Sequence, residues 1–101
     1  MTKKPTWEDA TDYSQGERGK KKPNAWIASF EGWDIWICSA HLHYPGTWVM
    51  KINALDFGPR DMDLPPETSL ETVQAMAIEI AKVTLVDRIK KYEAMLLSLG
   101  G

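Results

Sequence analysis

The chain has 101 residues, 44% apolar and 26% charged, the composition of an ordinary soluble globular domain with room for one modest core. No apolar run approaches the roughly 18–20 residues of a membrane span, and the Lys3-Lys4 start is not followed by a signal-peptide core. A single cysteine excludes an internal disulfide, so a reducing, cytoplasmic setting is expected.

The net charge of −2 is unevenly distributed. Residues 1–24 carry six basic and four acidic side chains, whereas residues 25–101 carry six and ten. The acidic part is the part expected to fold, which argues against a nucleic-acid-binding core. Residues 1–24, "MTKKPTWEDATDYSQGERGKKKPN", lack apolar periodicity and read as a mostly disordered, basic-ended tail, with a local contact through Trp7 or Tyr13. The Gly16-Glu17-Arg18-Gly19 run lacks the strand before it and the helix after it that a phosphate loop or a GXXG loop requires.

From Ala25 the pattern changes. "AWIASF", "WDIWICSAHLH" and "TWVMKINAL" are rich in β-branched and aromatic residues, with Glu31-Gly32 and Pro45-Gly46 as turns between them. The simplest registers pair Phe30 with Trp33, Ala28 with Ile35 and Trp26 with Ile37. In the second hairpin they pair His43 with Trp48, His41 with Met50 and Ser39 with Ile52. Side chains alternate across a strand, so both hairpins collect one charge-free face: Trp26, Ala28, Phe30, Trp33, Ile35, Ile37, Trp48, Met50, Ile52 and Ala54. The opposite face is mixed. There Ile27, Trp36 and Leu55 form an apolar row, Leu42 pairs with Val49, and Glu31, Asp34, Lys51 and Asn53 form a rim.

The segment "DFGPRDMDLPPE" connects sheet to helix, with residues 60–64 as an optional fourth strand confined by Pro59, Pro65 and Pro66. Thr68 and Glu71 fit a T-x-x-E capping box. Leu70, Val73, Ala77, Ile80 and Val83 then make one helical stripe, and Ile78, Ala81, Leu85, Ile89, Tyr92, Leu96 and Leu99 a second. A helix of about 30 residues would be about 45 Å long and would overhang a sheet of ordinary strands, or break near Asp87. Its surplus apolar surface asks for a cover, with a second subunit the simplest one.

"CSAHLH" gathers the only cysteine and both histidines, Cys38, His41 and His43. Strand parity places Cys38 on the mixed face and the histidines on the core side, so the three do not converge on a metal, and no thiolate–imidazole pair is expected. Asp56, Asp61, Asp63 and Glu67 lack EF-hand spacing. The meander followed by a helix, over residues 25–99, resembles in layout the second part of a double-stranded-RNA-binding domain. That family contacts phosphates with lysines at the start of its last helix. Here the position reads Pro65-Pro66-Glu67-Thr68-Ser69-Leu70-Glu71, without a basic residue.

The fold expected is therefore α+β: an antiparallel three-stranded meander, or four-stranded with residues 60–64, followed by one long C-terminal helix on the charge-free face. Residues 1–24 form a tail and 25–101 a single domain. The expected function is that of a non-enzymatic protein-interaction module that binds a partner or itself through Ile27, Trp36, Leu42, Val49, Lys51 and Leu55 and through the surplus helix surface. In size and plan the chain is similar to small phage or mobile-element accessory proteins, including inhibitors of host defence complexes, although no residue carries over from them. The alternative is a nucleic-acid accessory role for Lys20, Lys21 and Lys22. No cofactor, metal, membrane or small-molecule substrate is expected.

Overall fold

The computed structural model describes residues 5–13, 22–55 and 57–100. Its strands are β1 (Trp7–Asp9), β2 (Ala25–Phe30), β3 (Trp33–Cys38), β4 (Val49–Ile52) and β5 (Phe57–Asp61), followed by helix α1 (Leu70–Ser98). The five strands form one antiparallel sheet in sequence order. The architecture is α+β with one C-terminal helix, and the strand count rises from the expected three or four to five.

The first hairpin has the register that its turn implies, with Phe30 opposite Trp33, Ala28 opposite Ile35 and Trp26 opposite Ile37. Gly32, at φ 85°, supplies the left-handed turn residue that a side chain would strain. The second hairpin departs from the simplest register. Ile37 lies opposite Met50 and Trp36 opposite Lys51, four residues from the expected pairing of His41 with Met50. Strand β3 stops at Cys38, and residues 39–48 form a loop that other parts of the chain hold. The Ser39 N–H donates to the Asn24 carbonyl at 2.9 Å, and the Trp48 N–H to the Leu64 carbonyl at 2.8 Å.

A four-residue slip is even, so it preserves which face each side chain occupies. The charge-free face is accordingly the core. Ile35, Ile37, Met50 and Ile52 are buried there with Trp48 and Phe57, and Trp26, Phe30 and Trp33 pack at the margin. Burying an aliphatic side chain of this size contributes about 1.5–3 kcal/mol. Ala54 departs from the expectation: it lies exposed in a 3-10 turn, Asn53–Leu55, that ends the strand early.

Strand β1 lies inside the segment expected to be a tail. The sheet therefore begins before residue 25. Trp7 packs against the core cluster, and the Ala10 N–H donates to the Ala25 carbonyl at 2.9 Å. The Thr11 hydroxyl accepts from the N–H groups of Asn24 and Ala25 at 2.9 and 3.1 Å. Three residues with one apolar member leave no period-two signal, so only these cross-chain bonds reveal the strand. At the other edge β5 begins at Phe57 rather than at residue 60. Pro59, which has no N–H to donate, is compatible with an edge strand, and the pairing with β4 is irregular between Met50 and Ile52.

The helix starts one residue later than its expected cap. The Thr68 N–H closes a turn onto the Pro65 carbonyl at 3.0 Å, and Ser69 is the N-cap, its hydroxyl accepting from Thr72 N–H at 3.3 Å. From there α1 is continuous to Ser98, with no break at Asp87. Val73, Ala77 and Ala81 are its buried residues. They belong to one buried cluster with Ile35, Ile37 and Met50. At about 1.5 Å per residue the helix is about 44 Å long, against about 20 Å for the six-residue strands. Its distal half projects beyond the sheet and stretches the molecule to 59 × 31 × 25 Å. No helix among the described residues is long and apolar enough to cross a membrane.

Candidate functional site

Two surfaces stand out from the core, one on the sheet and one on the helix. On the sheet, the register lines up Ile27, Trp36 and Lys51 across β2, β3 and β4. They line a cleft of about 370 Å³ with Asp34, Asn53, His41 and Pro59. Trp36 is its half-buried wall, and the His41 ring meets it edge-on, 6.2 Å away between centroids and at 73°. The rim is held by a reciprocal pair: Asp34 N–H donates to Asn53 Oδ1 at 3.0 Å, and Asn53 Nδ2 donates to Asp34 Oδ2 at 3.2 Å. An aromatic wall inside a polar, fixed rim can take an apolar side chain flanked by hydrogen-bonding groups.

Of the six expected binding residues the structure brings Ile27, Trp36 and Lys51 together. It separates the other three. Leu55 is partly buried against the core cluster, and Lys51 occupies the place in the row that the simplest register gave to Leu55. Val49 is fully buried opposite Cys38, so the expected Leu42–Val49 pair does not form. Leu42, 86% exposed, sits in the 39–48 loop. The single cause is the loop, which takes His41, Leu42 and His43 out of β3. Pro59 entered the cleft unforeseen, because its side of the sheet depends on β5.

The same loop rearranges "CSAHLH". His41 lies on the Trp36 side rather than on the core side, its Nδ1 accepting from the His43 N–H at 3.1 Å. Cys38 is buried, and its sulfur accepts from the Ala40 N–H at 3.3 Å. Among the described residues no three His, Cys, Asp or Glu side chains are placed to hold a metal ion. Lys20 and Lys21 lie outside the described residues, and Lys22 is exposed.

The second surface is the distal helix. Val83, Val86, Ile89, Tyr92, Met95, Leu96, Leu97 and Leu99 are between 49% and 82% exposed. Every residue from Ile89 to Gly100 is exposed, so this stem has no tertiary support from its own sheet. Its charged residues, Asp87, Arg88, Lys90, Lys91 and Glu93, lie between these apolar positions. Among the described residues one salt bridge is present, Lys82 with Glu79 at 3.3 Å, and it lies nearer the sheet.

Compared with known proteins, the chain matches no protein-family model, no curated protein and no solved structure. Its function is argued from these two surfaces.

Proposed function

We propose that this protein is a small interaction module without chemistry of its own, working by docking the apolar helix stem and the Trp36 cleft onto protein surfaces. The observation that carries the reading is the stem: eight large apolar side chains from Val83 to Leu99 stand at least 49% exposed on an element that leaves its own core. Contiguous apolar surface of that kind is costly in water and marks interaction sites in soluble proteins. The Trp36 cleft adds a second, smaller contact with the aromatic centre and polar rim common to binding patches. In size and plan, one sheet and one helix, the chain resembles small phage or mobile-element accessory proteins. Host protein complexes are therefore the first partner class to test.

The experiment compares the full chain with Leu96→Asp and with Trp36→Asp. Leu96 is exposed and Trp36 half-buried on the cleft side of the sheet, so folding is expected to survive, checked by circular dichroism. Association state and cross-linked partners in a host extract are then measured. The reading predicts that at least one variant loses association or a partner. Unchanged behaviour in both would sink it.

A further inference from the structure

The stem itself says what covers it. Leu85, Ile89, Tyr92, Leu96 and Leu99 follow one another at spacings of four, three, four and three residues. That alternation is the a/d spacing of a coiled-coil seam, which keeps one stripe facing a partner helix. All five charges of the same stretch, Asp87, Arg88, Lys90, Lys91 and Glu93, fall off the seam. The stretch from Leu85 to Leu99 spans about 21 Å at 1.5 Å per residue. An unsupported helix of this length is marginal in water, where about 12–15 residues is the lower bound even for favourable sequences.

We propose that a second copy of this chain covers the stem, forming a parallel coiled coil with these five residues as its seam. The proposal rests on the interaction reading above and names the occupant of the stem. Flanking charges choose the direction. In a parallel pair each Arg88 flanks the partner copy's Glu93, five residues further along, and Ala81 flanks Val86, so charge meets opposite charge and apolar meets apolar. The two antiparallel registers that keep the seam do worse. One sets Arg88 beside Met95 and Val86 beside Glu93; the other brings the two Glu93 side chains together.

Arg88 is free to serve both ends. One of its five N–H donors goes to the Leu55 carbonyl at 3.2 Å, which fixes the side chain near the sheet and leaves further donors for a carboxylate. The geometry also leaves room for the sheets. At about 100° per residue, the core-facing side of the helix, marked by Val73, Ala77 and Ala81, lies about 80° round from the seam. The two-fold axis of a parallel pair then places the two sheets on opposite sides of the paired stems.

The test uses the full chain. Sedimentation velocity at about 100 µM is expected to give a dimer, and Leu96→Asp a monomer with an unchanged sheet signal by circular dichroism. Glu93→Lys should weaken dimerisation about tenfold, since it turns two flanking attractions into repulsions, and Arg88→Glu with Glu93→Lys should recover most of that loss. Direction is read from Leu99→Cys in a Cys38→Ala background. Parallel stems bring the two thiols together, so oxidation at low protein concentration links the dimer, whereas antiparallel stems hold them about 15–25 Å apart. A monomer at 100 µM, a dimer indifferent to Glu93→Lys, or a dimer that does not cross-link would each overturn the proposal. A monomer whose protein partner is still lost on Leu96→Asp overturns the second copy and keeps the interaction reading; a monomer without such loss, and with Trp36→Asp equally silent, overturns both.

Discussion

Arg88 donates to the Leu55 carbonyl oxygen at 3.2 Å, and that bond marks where the helix leaves the sheet. On one side of it lie Val73, Ala77 and Ala81, at most 3% exposed, packed on the central strands. On the other side every residue to Gly100 faces solvent. One continuous helix thus serves two purposes, a lid on the core and a projecting stem, and substitutions on its two halves should behave differently.

Ala77→Leu places a larger side chain in the buried cluster that Ala77 shares with Ile35 and Met50. Overpacking of this kind costs about 1–3 kcal/mol, so the urea midpoint should fall clearly. Leu96→Asp, in dilute solution where the chain is monomeric, should leave the midpoint within about 0.5 kcal/mol. Tryptophan fluorescence in a urea series checks both. Equal losses would mean that the stem is part of the folding core.

Gly58→Ala should be among the most damaging surface substitutions. Gly58 has φ 90°, and an added Cβ would lie 2.5 Å from the Met50 carbonyl oxygen and 3.1 Å from the Lys51 Cα. Backbone must then move on both β4 and β5, at a cost of about 2 kcal/mol or more. A thermal melt that matches the parent would show that the β4–β5 pairing tolerates the shift.

Acid should weaken the link between β5 and the start of β4. The Thr47 hydroxyl donates to Asp61 Oδ1 at 2.7 Å, and the Asp63 N–H donates to the same oxygen at 2.6 Å. Both bonds favour the carboxylate, Thr47 foremost, and hold Asp61 below its ordinary range. The sign follows from a folded pKa that is lower than the unfolded one. The stabilisation is present above the unfolded value and is lost as pH falls through the folded value. Unfolding measured between about pH 6 and pH 2 should show a shallower acid decline for Asp61→Asn than for the parent. Parallel declines would assign the acid sensitivity to other carboxylates.

His41→Ala should uncover Trp36 without unfolding the sheet, because the ring contact is edge-on and lies on the solvent side. Acrylamide quenching of tryptophan fluorescence is expected to rise, with the urea midpoint nearly unchanged. No rise would mean that the 39–48 loop shields Trp36 by other contacts.

The sheet face and the long helix were legible in the residues, because alternation and three-to-four spacing are local properties. Trp26, Ala28 and Ile35 declared the core in "AWIASF" and "WDIWIC" alone, and Leu70 to Leu99 declared the helix and its surplus apolar surface. The candidate site was only half legible. Ile27 and Trp36 meet because a two-residue turn fixes their register. Leu42, Val49 and Leu55 were misplaced because the 39–48 loop is fixed by bonds to Asn24 and Leu64, residues far away in the chain.

By itself the sequence determined the α+β class, the charge-free core face and a long apolar C-terminal helix, since each depends on periodicity within one element; that the helix runs on past its sheet without breaking at Asp87 came from the structure. Tertiary structure alone decided the register of β3 on β4, the edge strands β1 and β5, and which side His41 faces. Those depend on hydrogen bonds between distant segments, Ser39 to Asn24, Ala10 to Ala25 and Trp48 to Leu64, whose energy has no signature in any single stretch. The four-residue slip changed the partners across the sheet but not the faces, because it is even, and so the core survived where the binding row did not.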